Sequence, residues 1–222
     1  MRSTPSLVWL LCSFVAAAPS EGLAFDVPGA RSSAVIVSSH IGAHEDAIGA
    51  GVIVAIRPHV LRVLTARHVA DRGDVTVWLE RRPYPAEIVR TFARRDLAVV
   101  DVLVPTSVES HVVAASAGGS IAAGQAIVVW GENDAGPEPK TGSVVAPSWS
   151  APDPAFGVPL VSIACRTCAR GDSGGGVFDA EGRLLGILVA RFLRADGTTI
   201  AMVAEPIEPS LYATEERVAA KT

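Results

Sequence analysis

The sequence predicts an all-β protein built from two groups of six antiparallel strands. Three observations carry this. Helical periodicity is rare along the chain, whereas short β-branched or apolar runs bounded by turn-forming residues are common. The runs fall into two sets of six. Between the sets lies a segment, about 105–125, that is rich in Ser, Ala and Gly and has no clear period. Two such sets imply a double barrel or a sandwich, since closing or stacking sheets removes exposed edges.

The first set comprises Ala34–Ser38, Ala50–Ala55, Val60–Leu64, Val75–Leu79, Ala86–Phe92 and Leu97–Val102, with Pro58, Gly73 and Pro83 among the separators. The second comprises Ala126–Trp130, Gly142–Ala146, Leu160–Ala164, Gly176–Phe178, Leu184–Ala190 and Thr198–Val203. The polar, Pro- and Gly-bearing stretch Gly131–Lys140 reads as an exposed loop. Near the end, Ile207, Leu211 and Val218 recur at helical spacing, which predicts a short amphipathic helix over about 207–219. The first unit then spans about 30–104 and the second about 126–205.

The chain has 222 residues and is 49% hydrophobic, enough for one sizeable domain or two small fused barrels. Aromatic residues are only 5%, so aliphatic side chains must fill the core. The net charge is −4 and no long basic run occurs, which argues against a nucleic-acid partner. Residues 1–24 read as a secretory signal: Arg2 is followed by an apolar run from Leu7 to Ala18, too short to span a bilayer, and Gly22-x-Ala24 fits a cleavage site. The expected mature domain is 25–222, secreted or periplasmic, without membrane attachment once the signal is removed.

Of three cysteines, Cys12 lies inside the signal, leaving Cys165 and Cys168. A metal site would need further ligands, and a redox pair would need a helix start that Ala169-Arg170-Gly171 does not promise. A local disulfide beside the following glycine-rich loop is the favoured reading. His40 and His44 sit in a segment better read as a polar loop between strands than as a metal site, because no helix fixes their spacing. No metal and no organic cofactor is expected.

That glycine-rich loop, Gly171-Asp172-Ser173-Gly174-Gly175-Gly176, gains meaning from Thr65-Ala66-Arg67-His68 and Asp96-Leu97-Ala98-Val99 upstream. A serine hydroxyl is a poor nucleophile at neutral pH. It needs a base to take its proton and a carboxylate to orient that base. Ser173, His68 and Asp96 supply the three groups, and the amides of Gly171 and Ser173 are natural donors to a developing oxyanion. The bland alternative is a Gly-rich turn with an incidental serine. Gly171-x-Ser173-x-Gly175 also matches a nucleophile elbow, but none of the five histidines follows Ser173, so the Ser, acid, His order of that fold has no base. Asp101, the main rival for the acid, lies five residues beyond Asp96, and strand alternation turns it to the other side.

These three segments resemble those of trypsin/chymotrypsin-like serine proteases of the compact bacterial type, over most of the chain from about Val35 onward. The resemblance implies two six-stranded antiparallel barrels with the site in the cleft between them, and a serine endopeptidase acting on protein or peptide substrates through an acyl-enzyme. It also implies that Leu188-Val189-Ala190-Arg191 is the substrate-pairing strand and that Thr167, six residues before Ser173, sits at the base of the specificity pocket. Relatives that cut after Lys or Arg carry Asp at that place. Family members usually have Ser where this chain has Val189, and Gly where it has Arg191. The family's Ile-Val-Gly-Gly activation sequence is absent, so the resemblance does not imply a newly cut N-terminus as partner for Asp172, whose other reading is turn geometry, and no downstream cysteine exists for the bridge often seen from the serine loop. The competing function is a non-catalytic module that holds extended peptides in the same cleft by strand addition.

Overall fold

The computed structural model describes residue 27 and residues 29–41, 45–133 and 136–213. The predicted signal (1–24), His44 and the last part of the predicted C-terminal helix lie outside the described residues.

Twelve strands form two closed antiparallel barrels. The first contains β1 (Ala34–Ile41), β2 (Glu45–Arg57), β3 (Val60–Ala66), β4 (Asp74–Leu79), β5 (Arg82–Thr91) and β6 (Leu97–Leu103), in the order β1-β2-β3-β6-β5-β4. The second contains β7 (Ala126–Asn133), β8 (Gly136–Trp149), β9 (Leu160–Ala164), β10 (Gly176–Phe178), β11 (Leu184–Leu193) and β12 (Thr199–Pro206), in the order β10-β11-β12-β9-β8-β7. Three one-turn helices, α1 (Ala30–Ser33), α2 (Arg67–Ala70) and α3 (Thr106–Glu109), punctuate the strands. All twelve predicted strands are found. Within the described residues the C-terminal segment is a single 3-10 turn at Pro209–Leu211.

Strand alternation builds the core. Along β4, Val75, Val77 and Leu79 are buried while Trp78 between them is exposed. In the second barrel Ile127 and Val129 point into the barrel, and their neighbours Val128 and Trp130 join the apolar layer shared with the first barrel. Phe178 is the largest fully buried side chain; the other large apolar ones are Ile, Leu and Val, so aliphatic packing fills the interior as the composition requires. Each such side chain contributes about 1.5–3 kcal/mol when removed from water.

Two turn expectations are corrected. Residues 131–133 continue β7 and residues 136–140 begin β8, paired with Gly131↔Glu138 and Glu132↔Pro137 in register, and Lys140 is nearly buried rather than exposed. Pro83 does not separate strands but lies within β5. The reason is the same in both places. Residues 82–85 pair with β4 but run past the end of β6, and residues 136–140 pair with β7 but run past β9. On such an unpaired edge a proline costs no ladder hydrogen bond, so Pro83, Pro85, Pro137 and Pro139 are accommodated.

Asp101 faces away from the cleft, as alternation predicted. It accepts from Arg62 at 2.8 and 2.9 Å and from Arg57 at 2.7 Å. Burial opposes its ionisation, but the Arg62 and Arg57 guanidiniums outweigh burial and hold its carboxyl below the usual range. The stabilisation is therefore present above the ordinary aspartate range and lost as pH falls through the lowered value. Asp101→Ala should cost about 1.5–3 kcal/mol at pH 7 in urea unfolding, with the deficit shrinking toward pH 3; a pH-independent deficit would count against the ion pair as its source.

Candidate active site

The His68 side chain is placed by α2, which begins directly after β3. Asp96 grips this turn twice. Its Oδ1 accepts the His68 backbone N–H at 3.0 Å and its Oδ2 lies 2.5 Å from His68 Nδ1. The Asp96 carbonyl also accepts the Arg67 N–H at 3.0 Å. From the barrel interior, the buried Ser39 hydroxyl donates to the Val69 carbonyl at 2.5 Å and fixes the far end of the turn. The imidazole is 42% exposed and its partner carboxylate 16%, so the ring reaches into the cleft while the carboxylate stays behind it.

Ser173 arrives from the second barrel and is half-buried. Its carbonyl accepts the Ala50 N–H of β2 at 2.8 Å, and Gly174 N–H donates to Leu188 of β11 at 2.7 Å. Gly49 is the shared wall. A Cβ there would lie 2.5 Å from the Ser173 carbonyl and 2.7 Å from the Val69 side chain, the residue after His68. Gly174 has φ +89°, and a Cβ would fall 2.0 Å from the Ala50 carbonyl. Only glycine meets both demands. The structure thus pairs Asp96 with His68, and it sets the Ser173 carbonyl and the residue after His68 against the same glycine. Among the described residues, the Ser173 hydroxyl makes no hydrogen bond and the amides of Gly171 and Ser173 donate to no protein acceptor. Serine–imidazole bonds commonly tighten only when substrate is in place.

Two supporting residues escaped the sequence reading. Asp172 is fully buried, and Lys140 Nζ meets its Oδ1 at 2.6 Å. The Ala169 and Glu132 amides donate to the same carboxylate at 2.5 and 3.2 Å. This fixed ammonium occupies the role for which the sequence offered no partner. Glu205, also fully buried, accepts the Asp96 backbone N–H at 2.9 Å, with Arg95 3.8 Å from its other oxygen. Burial pushes the Glu205 carboxyl up, with the Asp96 N–H and Arg95 opposing. Neither lysine in a polar hairpin nor glutamate at the end of an apolar strand carries a local signal of its partner.

The residues expected to meet substrate lie on the loop before the serine motif and on β11. Thr167 is exposed in the loop closed by the disulfide between Cys165 and Cys168, whose Cα atoms are 5.4 Å apart. Val189 is buried at a β-bulge in β11 and belongs to the core shared by the barrels. Arg191 reaches back from β11 and donates to the Cys168 carbonyl, tying that strand to the loop before Asp172.

Removing Lys140 would strand a buried carboxylate. Lys140→Met should cost about 3–5 kcal/mol, and adding Asp172→Asn should recover part of it, as read by thermal unfolding; additive losses would deny the coupling. For Glu205 the folded value is raised, so its contribution is complete below the ordinary glutamate range and is lost as pH rises through the folded value. Glu205→Gln should flatten the fall in melting temperature between pH 5 and 8, and parallel falls in both proteins would contradict this.

Comparison with known proteins fits the double barrel. An HtrA-type protease, AlgW with a tripeptide, superposes with a TM-score of 0.69 at 22% identity, covering 85% of this chain and 60% of that one. The Rv3671c protease in an inactive form gives 0.61 at 24% identity, with 80% and 86% covered. The MamO protease domain from Magnetospirillum magneticum gives 0.64 at 20% identity, with 81% and 94% covered. The chain thus spans only about 60% of the length of the HtrA-type protease. No curated protein matches the sequence. The sequence model for the trypsin-like peptidase domain matches residues 49–187, from the glycine that walls the candidate site to the strand behind Ser173. On that match, covering more than half its length, the chain belongs to the trypsin-like peptidase domain family.

Proposed function

We propose that the protein is an exported serine endopeptidase with Ser173 as nucleophile, His68 as general base and then general acid, and Asp96 as the group that holds the imidazole. The observation that carries this reading is the Asp96–His68 pair, 2.5 Å between Oδ2 and Nδ1; it is supported by Gly49, which meets both the Ser173 carbonyl and Val69, the residue after His68. Ser173 Oγ attacks the scissile carbonyl, and its proton passes to the free ring nitrogen of His68. The resulting oxyanion falls to the amides of Gly171 and Ser173, each such donor being worth about 3–4 kcal/mol of the activation barrier in comparable sites. The amine leaves with the proton from His68, and water, activated by the same ring, frees the acyl group. Asp96 holds the ring's tautomer and stabilises the imidazolium.

The supports follow from the same logic. Asp172 lies between the two oxyanion amides, so the Lys140 ion pair orients them without any newly cut N-terminus. We assign Glu205, which accepts the Asp96 backbone N–H, the role of holding the acid in place. Export is supported by the N-terminal apolar run and by the Cys165–Cys168 disulfide, which suits an oxidising compartment.

A fluorophosphonate should label the protein at Ser173, and Ser173→Ala should abolish labelling and peptide hydrolysis. Asp96→Asn should lower kcat by about 10⁴-fold while labelling slows in step. Failure of the parent protein to react would leave the peptide-holding module as the standing explanation.

A further inference from the structure

We propose that a groove on the outer face of the first barrel binds an acidic stretch of the substrate polypeptide, on the C-terminal side of the bond to be cut. The proposal rests on the hydrolase reading above and adds a substrate class to it. The groove has a volume of about 670 Å³ and runs along β1 between the β4–β5 turn and the β7 and β8 residues Glu132, Gly136 and Pro137.

Its position follows from the site. Ile48 lines the groove, is 51% exposed, and immediately precedes Gly49, the wall against the Ser173 carbonyl. Glu132 lines it at the other rim, with its carboxylate so close over Gly171 that a Cβ there would sit 2.5 Å from Oε2. Leu188 of β11, the strand expected to pair with the N-terminal half of a substrate, lies across the serine loop at Gly174. A chain leaving Ser173 past Gly49 therefore enters the groove with its C-terminal half.

Register gives the groove a direction. Ser38 pairs with Ile48 at the end near Ser173, Ile36 pairs with Trp78, and Ala34 lies farther along β1 toward α1. From Ser38 to Ala34 is roughly 13 Å of strand, room for about four extended residues. The Trp78 indole is fixed across this surface by its N–H donating to the Ser38 hydroxyl at 3.0 Å, and 38% of the residue stays exposed. It offers a preset apolar wall midway.

Beyond Trp78 the chemistry turns cationic. Arg31, Arg81 and Arg82 all line the groove, and none joins an ion pair among the described residues. The acids that line it are Glu80 and Glu132. In a chain of net charge −4, a surface with more arginines than carboxylates is a local reversal that suits an anionic guest. The β4–β5 turn adds an independent sign. Glu80 and Arg81 have φ of 49° and 66°, a conformation that such two-residue hairpins normally give to Asn or Gly. Side chains other than Gly and Asn are seldom held there, because the Cβ crowds the following carbonyl. Strain of this kind gathers where side chains must be held in place for binding, and both of these side chains line the groove.

The test uses full-length Ser173→Ala protein and fluorescein-labelled octapeptides with Glu, Gln or Lys at the third to fifth positions after the cleavable bond. Fluorescence anisotropy should show the Glu peptide binding about tenfold more tightly than the Gln peptide, with the Lys peptide weakest. The preference should vanish on Arg31→Gln/Arg81→Gln/Arg82→Gln replacement and decline between 50 and 500 mM NaCl, the salt series standing alone if that variant misfolds. Equal affinities at low salt would overturn the proposal. So would sedimentation showing a dimer that the arginine replacements dissociate, since a second copy would then own the groove. Because the readout is binding, it is independent of turnover. Failure of the parent protein to hydrolyse a short ester would sink the hydrolase reading, whereas ester hydrolysis with indifferent peptide binding would sink only the groove.

Discussion

The hydrogen bond from the Ala50 amide to the Ser173 carbonyl, 2.8 Å across the line between the barrels, is the contact on which the site depends. Each barrel closes on its own ladder, so nothing in either one dictates where the other's loops fall. The backbone contact does this, and it requires that no side chain intervene. Gly49 and Gly174 meet that requirement from the two sides. Once the strands touch there, the turn bearing His68 and the loop bearing Ser173 share one wall, and their separation is a matter of backbone geometry rather than of flexible side chains.

Electrostatics then holds each half in shape. Asp96 uses one oxygen for the imidazole and the other for the backbone beneath it, so the same charge orients the ring and pins the turn. Glu205 carries that constraint into the second barrel, since it lies on β12 and accepts the Asp96 amide. Asp172 and Lys140 do the equivalent for the serine loop. Desolvating the two charges is costly, and the further donors from Ala169 and Glu132 offset that cost by filling the carboxylate's remaining lone pairs. Arg191, bound to the Cys168 carbonyl next to the disulfide, braces the same loop from β11.

Much of this was legible in the residues because it is local. Alternating apolar runs and intervening turn residues located all twelve strands, and the glycines around Ser173 announced a tight, unobstructed turn. What stayed hidden was long-range pairing. Lys140 and Asp172 are 32 residues apart and Asp96 and Glu205 are 109 apart, and nothing in either neighbourhood names the partner. The Gly131–Lys140 segment misled for a related reason: prolines and charges mark loops in general, but on a hairpin that outruns its sheet they are compatible with strand.

The prolines of the two overhanging hairpins have a consequence beyond tolerance. Pro83 and Pro85 lie two residues apart on one ribbon, and Pro137 and Pro139 lie two apart on the other. Residues so spaced turn their amide positions toward the same flank, so each ribbon lacks consecutive N–H groups just where it leaves the protection of its barrel. A neighbouring copy seeking to extend either sheet would find acceptors without matching donors. Each ribbon can therefore outrun its sheet without offering that flank as a template for aggregation.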